Sequence, residues 1–243
     1  MRACVISDIH GNLHALEAVL EAIDDEAPDE IWCLGDLVGY GPRPNACCRL
    51  VAERADLCLA GNHDLAVLGR IDIDIFTQDA GESARWTASV LEENARAFLM
   101  PLEPAGGRLG IGLYHASPRD PVWEYVLSDE VAEASLRLAA EQRILVGHSH
   151  VALTYRLNES GIVGDLATEG TEVDLDGPDR VLLNPGSVGQ PRDGDPRAAF
   201  LVLDLDARRA RFRRVPYDIA ATQTEIREHG LPDTLAGRLS DGL

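Results

Sequence analysis

The sequence contains no lysine, so its 22 basic residues are all arginine, and they stand against 41 aspartates and glutamates. The formal net charge is −19 at pH 7. A protein that grips nucleic acid by its phosphates needs a basic stripe, whereas a strongly acidic chain repels them. The composition therefore argues against an extended nucleic-acid footprint, and a nuclease is not favoured.

Long apolar runs are also lacking. No stretch approaches the roughly 18 consecutive apolar residues of a membrane span, and the N-terminal MRACVISDIHG has too short an apolar run for a signal peptide. The number of cysteines is odd and none has CxxC spacing, which is typical of small buried thiols in a reducing compartment. We therefore expect a cytoplasmic protein with no membrane partner. The cysteines are Cys4, Cys33, Cys47, Cys48 and Cys58.

Short apolar runs alternate with helical patterns in the first half of the chain. ACVIS, IWCLG and LCLAG are predicted strands, and NLHALEAVLEAI and PNACCRLVAERA are the predicted helices between them. This βαβαβ rhythm is typical of a largely parallel sheet covered by helices. LGIGLY and RILVG are the predicted fourth and fifth strands. Hydrophobic residues make up 45% of the 243 residues, and we expect one domain spanning residues 1–243.

From Val151 onward, strand-like segments follow one another without long helices: VALTYRL, VLLN, AAFLVLDL and RARFRRVPY. This pattern predicts a second, antiparallel sheet. We expect an α/β fold, a four-layer α/β/β/α sandwich in which two packed mixed β-sheets are flanked by helices. A last helix is predicted from about Ile219 to His229, and the tail from about residue 230 is expected to be loose.

Polar side chains follow the predicted strands. In an open α/β sheet the carboxyl ends of the strands form the ligand crevice, so we expect these side chains to meet there. Taken singly, Asn62 suits a turn and His115 suits a loop. Taken together, the residues predict a metal site. They are Asp8 and His10, then Asp36, then Asn62, His63 and Asp64, then His115, and finally His148 and His150.

The ligand types indicate which ions would bind. Carboxylates and neutral imidazoles without a thiolate suit manganese, iron, zinc or nickel rather than a structural zinc site. One carboxylate can bridge two ions roughly 3.5–4 Å apart, and Asp36 follows a central predicted strand. We expect two divalent transition-metal ions that share Asp36, with manganese preferred over iron, zinc and nickel.

Five blocks resemble, in order, the signature blocks of the calcineurin-like metallophosphoesterases: DIHGN, GDLVGYGP, GNHD, the YH before ASPRDP, and GHSH. The later NPGSVGQPRDGDPRAAF is similar to small bacterial and archaeal phosphodiesterase-type members. The resemblance implies that His63 faces the leaving-group oxygen and that Asp64 orients its imidazole. It also implies two ligand sets sharing Asp36, with Asp8, His10 and His150 for one ion and Asn62, His115 and His148 for the other.

The function that the resemblance implies is dinuclear-metal-dependent hydrolysis of phosphate esters. We expect a phosphodiesterase with a small-molecule or nucleotide substrate, because the second block has Gly39-Tyr40-Gly41 where protein phosphatases of the family tend to carry a phosphate-gripping arginine. A phosphomonoesterase or protein phosphatase and a dinucleoside polyphosphate hydrolase are the alternatives. A catalytically silent scaffold is disfavoured, since His63 and every ligand position are present. Tyr40 and Arg192 suit either substrate contact or the surface, and a homo-oligomer is compatible with the sequence.

Overall fold

The first three strands form a parallel sheet, as the βαβαβ pattern predicts. The computed structural model describes residues 1–243, and in it β1 (Arg2–Ile6), β2 (Glu30–Cys33) and β3 (Leu57–Cys58) pair in parallel. The connections are α1 (Leu13–Glu26) and α2 (Pro44–Arg54). Parallel neighbours require crossover connections of this kind, and this part of the prediction is confirmed.

Helix α1 shows how the sequence places the segment that follows β1. Its apolar residues recur at three- and four-residue spacing, and Leu16, Val19 and Ile23 are fully buried against the sheet. The Asn12 side chain accepts a hydrogen bond from the Ala15 amide at 3.2 Å, which is the usual cap at a helix start. The cap therefore ends the short segment between β1 and α1 at a defined residue.

The remaining elements complete two six-stranded sheets and their outer helices. The helices are α3 (Asn62–Val67), α4 (Gln78–Val90), α5 (Glu93–Leu99), α6 (Asp129–Leu138), α7 (Ile219–Glu228) and α8 (Asp233–Asp241), with a 3₁₀ helix at Ile73–Ile75. The strands are β4 (Ala105–Arg108), β5 (Ile111–Tyr114), β6 (Arg143–Leu145), β7 (Ala152–Asn158), β8 (Gly161–Leu166), β9 (Glu172–Asp174), β10 (Arg180–Pro185), β11 (Ala198–Asp204) and β12 (Arg209–Val215). The sheet orders are β3-β2-β1-β11-β12-β9 and β4-β5-β6-β10-β7-β8.

The prediction of a separate antiparallel sheet after Val151 is wrong. Strands β11, β12 and β9 extend the first sheet, with β11 antiparallel to β1, whereas β10, β7 and β8 extend the second sheet, with β10 parallel to β6. An open strand edge leaves backbone groups unpaired, and the later strands pair with the open edges of β1 and β6. The sequence pattern identifies a strand, but it does not say which edge that strand joins.

The two sheets pack face to face between helical layers. Their inner faces meet in a cluster of 18 buried residues that includes Trp32, Leu113 and Phe212. A cluster of 24 buried residues lies between the first sheet and its helices, and one of 10 lies between the second sheet and α6. The α/β class and the four-layer α/β/β/α sandwich are confirmed.

The C-terminal segment is not loose, and that expectation is corrected. Helix α8 packs against α7, and Leu235, Ala236 and Leu239 are buried. The partly buried ring of Tyr40 packs against the same cluster. A helix of nine residues carries too few turns for its periodicity to stand out in sequence. None of the helices has the length and apolar character that crossing a membrane requires.

Candidate metal centre

The predicted site residues meet where strand ends from both sheets come together. The segments after β1, β2 and β3 reach this place from the first sheet, and those after β5 and β6 reach it from the second. The expectation of one edge of a single sheet is therefore corrected, since the site lies between two sheets. All the predicted residues are at most 4% exposed: Asp8, His10, Asp36, Asn62, His63, Asp64, His115, His148 and His150.

The backbone of the site adopts an uncommon conformation. Residues other than glycine rarely take left-handed φ values, and each such residue costs about 1 kcal/mol or more. The surrounding structure must enforce this conformation, and such residues cluster where side chains are aimed at a ligand. Five of the predicted site residues have φ between 50° and 63°: Asp8, His10, Asp36, His148 and His150.

Three groups of ligand-type atoms lie in the site, each with its atoms within 4.8 Å of one another. One consists of His10, Asp36 and His63 and shares a residue with each of the other two. Those two, the ligand groups, are Asp8, His10 and His150, and Asp36, His115 and His148. Asp36 Oδ2 lies 3.5 Å from His10 Nε2 and 3.5 Å from His115 Nε2. One carboxylate oxygen thus stands between the two groups. We call these six residues and Asn62 the metal centre.

Lone pairs of two histidines in the metal centre point at each other. The Nδ1–H of His10 donates to the Val38 carbonyl at 3.0 Å, and that of His150 donates to the Gln190 carbonyl at 2.6 Å. Because a carbonyl can only accept, each Nε2 carries a lone pair, and these two Nε2 atoms are 3.0 Å apart. Two acceptors at this distance repel each other unless a cation binds both.

In the second ligand group, too, the Nε2 atoms of the histidines have no hydrogen-bond donor as a partner. The Nδ1–H of His115 donates to the Leu34 carbonyl at 2.9 Å, and its Nε2 faces Asn62 Oδ1 at 3.2 Å. The Nε2 of His148 is buried without a hydrogen-bond partner. Backbone carbonyls that hold the outer ring nitrogen are the usual support of a metal-binding histidine. The donor set therefore fits divalent metal ions.

Burial also sets the protonation of these groups. It raises the pKa of Asp8 to about 7, and it raises the pKa of Asp36 well above the usual value, with the Asp64 carboxylate adding to the second shift. Burial lowers the pKa of His10 and His150 well below the usual value, so both rings are neutral, as a metal ligand requires. Buried carboxylates are unfavourable without a compensating positive charge, which divalent cations would supply.

The family model described as calcineurin-like phosphoesterase superfamily domain matches residues 1–208. The chain belongs to this superfamily. It is accordingly a phosphoester hydrolase, whose histidine and aspartate clusters are compatible with divalent metal ions. The resemblance drawn from the five sequence blocks is confirmed.

Two relatives match this phosphoesterase over nearly its whole length, and a third matches it over a short segment. A metallophosphoesterase of known crystal structure from Sphaerobacter thermophilus is 40% identical with a TM-score of 0.91, covering 100% of this chain and 99% of that one. An uncharacterized protein of Methanocaldococcus jannaschii is 38% identical over 241 residues, which is 97% of this chain and 96% of that protein. A symmetrical bis(5′-nucleosyl)-tetraphosphatase of Edwardsiella ictaluri is 41% identical over 71 residues, but these are only 28% of this chain and 25% of that protein.

The histidine of the GNHD block lies beside the metal centre of this phosphoesterase. His63 offers a ring nitrogen within 4.8 Å of ligand atoms of His10 and Asp36. Its Nδ1 is buried without a hydrogen-bond partner. Burial, followed by the charge of Arg192, lowers the pKa of His63 to about 3. The ring is therefore neutral at pH 7 and keeps one N–H group as a donor.

Asp64 forms no hydrogen bond with His63, so no direct contact supports the orienting role that the resemblance implies. Asp64 accepts from the Gly61 amide at 2.9 Å and from the Leu37 and Val38 amides at 2.9 and 3.2 Å. Its carboxylate thus ties the start of α3 to the segment after β2. Consecutive helix residues point about 100° apart, which turns the Asp64 side chain away from the His63 ring.

The GYG segment of the second block closes around His63. Gly39 has φ 84°, and a Cβ atom at this position would lie 2.3 Å from His63 Nδ1. Only glycine permits both the conformation and the close approach. The Tyr40 ring packs obliquely against His63 and His10, with centroid distances of 4.4 and 4.6 Å.

The loop between β10 and β11 supports the metal centre from outside, a role that sequence reasoning missed. Ser187 Oγ donates to the Asp8 carbonyl at 2.8 Å. Near the end of β10, Asn184 Nδ2 donates to the Gly147 carbonyl at 2.8 Å, directly before His148. The similarity of NPGSVGQPRDGDPRAAF to phosphodiesterase-type members was the available signal, but no spacing rule links this segment to the ligands.

The same loop brings a cation to the cleft above the metal centre. Arg192 is the one basic residue other than histidine that lines this cleft of about 190 Å³. Its guanidinium carbon lies 5.7 Å from the centre of the Tyr40 ring, and its Nη2 donates to Gln190 Oε1 at 2.8 Å. The next residue, Asp193, forms a buried ion pair with Arg214. The one arginine in the cleft thus comes from the loop after β10 and not from the second block.

Proposed function

We propose that this protein is a dinuclear-metal-dependent phosphodiesterase that acts on a small-molecule or nucleotide phosphate ester. The proposal rests on the two ligand groups, between which one oxygen of Asp36 lies 3.5 Å from a histidine nitrogen of each. A shared carboxylate is what a two-metal hydrolase needs, whereas a single structural ion has no use for it.

In this proposal seven side chains hold two divalent ions. Manganese is the preferred ion, because the ligands are carboxylate, amide and imidazole groups without a thiolate, although iron, zinc and nickel accept the same types. When bound, the ions supply Lewis-acid polarisation of the phosphoryl oxygens and neutralise part of their charge. The ligands would be Asp8, His10, Asp36 and His150 for one ion, and Asp36, Asn62, His115 and His148 for the other.

His63 is proposed as the group that assists the leaving oxygen. Hydrolysis adds water to phosphorus and breaks the bond to that oxygen, where negative charge develops. The neutral His63 ring donates its N–H to this oxygen, and the growing charge draws the proton across. Gly39 and Tyr40 keep the ring in place, since the first admits it and the second packs against it at 4.4 Å.

Arg192 is proposed to bind a non-bridging phosphate oxygen. A guanidinium suits this geometry because its donors form a planar fork. Beside the proposed metal ions, this single guanidinium is enough for the one negative charge of a phosphodiester, whereas a dianionic monoester would gain from a second arginine. The one arginine in the cleft and the net charge of −19 also favour a small substrate over a nucleic-acid strand.

Hydrolysis of dinucleoside polyphosphates is the second candidate. It is favoured by the 71-residue match to a symmetrical bis(5′-nucleosyl)-tetraphosphatase at 41% identity. A chain of several phosphates would call for more cationic groups than the two metal ions and Arg192, and we therefore rank this activity second. We place the protein in the cytoplasm, a location supported by its five free cysteines.

Metal analysis combined with two chromogenic substrates tests the proposal. We expect about two metal ions per chain after incubation with Mn²⁺. Bis-p-nitrophenyl phosphate should be hydrolysed at a rate comparable to or above that of p-nitrophenyl phosphate. A monoester preference of about a hundredfold or more would indicate a phosphomonoesterase, and faster turnover of a dinucleoside tetraphosphate would indicate the second candidate. A protein that takes up no metal would contradict both.

A further inference from the structure

Aromatic residues are scarce in this chain but gather at one place. The sequence has three tryptophans, five tyrosines and four phenylalanines. Four of these residues line the cleft above the metal centre: Tyr40, Phe76, Trp123 and Tyr125. A third of the aromatic side chains thus face one cleft, although they come from three separate segments of the chain.

Three of these rings are not part of any hydrophobic core, and we call Phe76, Trp123 and Tyr125 the aromatic wall. None of them belongs to a core cluster or packs against one. Phe76 and Trp123 are half-buried, and Tyr125 is 47% exposed. Neighbouring apolar rings left open to solvent without a role in the core mark a binding surface.

The aromatic wall begins at two histidines of the site. The Phe76 ring meets the His63 ring edge-on, with centroids 4.9 Å apart and an interplanar angle of 75°. Trp123 continues outward from Phe76 at 5.4 Å and 67°. Tyr125 stacks on His148 at 4.2 Å and 17°. Phe76 and Trp123 therefore lie beyond His63, on the side where the leaving group departs if His63 assists it.

Ordered loops hold the two outer rings. Phe76 ends the 3₁₀ helix Ile73–Ile75, and its amide donates to the Ile73 carbonyl at 3.1 Å. Asp120 Oδ1 accepts from the Trp123 amide at 3.1 Å. Because the Phe76 and Trp123 planes are inclined rather than stacked, each ring keeps surface for a third aromatic group. Preorganised rings of this kind bind a planar ligand without the entropic cost of ordering a loop.

We propose that Phe76 and Trp123 form a subsite for a planar aromatic group on the leaving side of the phosphate ester, such as a nucleobase or an aryl ring. This inference rests on the proposed function, because it uses His63 to define the leaving side. Arg192 and the metal centre hold the phosphate, and the aromatic wall then selects esters whose alcohol carries a ring. Base stacking on aromatic side chains tolerates different bases, so the subsite selects a chemical class rather than one compound.

Isothermal titration calorimetry on the manganese-loaded protein tests the subsite with three phosphate monoesters: adenosine 5′-monophosphate, phenyl phosphate and ribose 5-phosphate. We expect at least one of the two aromatic ligands to bind about tenfold more tightly than ribose 5-phosphate. Tight binding of adenosine 5′-monophosphate alone identifies a nucleobase as the occupant, and equally tight binding of phenyl phosphate identifies any aryl ring. Equal dissociation constants for all three ligands overturn the proposal.

Two variants and a matched control assign the effect to the aromatic wall. Trp123→Leu and Phe76→Leu should each bring the aromatic ligands close to parity with ribose 5-phosphate, while ribose 5-phosphate binding and manganese content stay unchanged. Trp86→Leu removes a half-buried tryptophan that packs on His229 at 5.3 Å, outside the cleft, and should keep the preference. A preference that survives both wall variants overturns the proposal.

The proposed function and the subsite fail in different ways. Equal affinities in a protein that takes up manganese and hydrolyses bis-p-nitrophenyl phosphate would overturn the subsite alone. A protein that binds no manganese, or that hydrolyses no phosphate ester, would contradict the proposed function and end the subsite proposal with it.

Discussion

The metal centre and the aromatic wall lie next to each other, yet they are built in opposite ways. The side chains of the metal centre follow strand ends, are at most 4% exposed, and are held by backbone carbonyls and left-handed backbone. Those of the aromatic wall lie on connecting segments, reach 47% exposure at Tyr125, and contact one another or a histidine of the site rather than a core.

The difference separates two tasks. Chemistry at a metal requires ligands positioned to within about 0.5 Å, which rigid elements achieve better than loops do. Residues that select the substrate tolerate changes in sequence, and proteins commonly vary such residues in loops on a rigid scaffold. We therefore expect changes in the metal centre to abolish activity for every substrate, and changes at the rim of the cleft to alter the preference among substrates.

The largest effect is expected from Asp36→Asn. Asp36 stands between both ligand groups, so its replacement should weaken both ions, whereas His10→Ala should mainly weaken one. Turnover should fall about 10³-fold or more, since the several kcal/mol supplied by the metals are lost. Elemental analysis and steady-state kinetics measure this. His229→Gln, outside the cleft, is the control, and retention of both metals in Asp36→Asn would show that Asp36 is not shared.

His63→Gln should come next. The variant should keep both metals and lower turnover by about 10²–10⁴ if the ring donates the proton. The loss should be smallest for a nitrophenolate leaving group, which needs little protonation, and largest for an alkyl or ribose oxygen. Kinetics over a leaving-group series, with metal analysis of the same samples, measure it. Loss of a metal would make His63 a ligand instead, a role that its distance from His10 and Asp36 also permits.

Arg192→Leu should have an intermediate effect and leave the metal content unchanged. Loss of a charge-assisted contact to phosphate should lower kcat/KM about 10- to 100-fold, and Arg192→Lys should recover only part, because it cannot form the planar fork. Arg197→Leu, which removes an arginine paired with Asp195 in the same loop, is the matched control. An Arg192→Leu enzyme with unaltered kcat/KM would place this side chain outside substrate binding.

The smallest effect on turnover is expected from Asp64→Asn. The side chain accepts three backbone amides and none of its contacts reaches His63, so the change should lower the free energy of unfolding by about 1–3 kcal/mol. Turnover should fall less than in His63→Gln. Denaturant unfolding and kinetics measure the two quantities. The leaving-group dependence should match that of the unaltered enzyme, and a dependence like that of His63→Gln would restore the orienting role to Asp64.

Much of the architecture was predictable because it depends on local patterns. Helix α1 follows from its apolar spacing and the Asn12 cap, and the strands before the ligands follow from short buried runs. Strands β4, β8 and β9 were missed, since they are short or exposed and rich in glycine or charge. Helix α8 was missed because nine residues show little periodicity.

In the candidate site, too, residues in local motifs were predicted, whereas contacts between distant segments were not. Asp8, His10 and His150 were identified because strand ends and family blocks are adjacent in sequence, and the structure brings their ligand atoms within 4.8 Å. Asp64 was expected to orient His63, but its carboxylate accepts backbone amides instead, because neighbours in sequence need not touch when a helix turns them apart. Arg192 was left undecided, since nothing near it in sequence says that its loop returns to Tyr40.

By itself, the sequence determined the order of most elements, the identity of the ligand-type residues and the family to which they belong. These properties depend on hydrophobic period, helix caps and short motifs, which act over a few residues. Only the tertiary structure decided that two sheets share the site and that Arg192 and the aromatic wall face the same cleft. Those contacts join residues far apart in the chain, and they form only when later strands close the sheet edges left open by earlier ones.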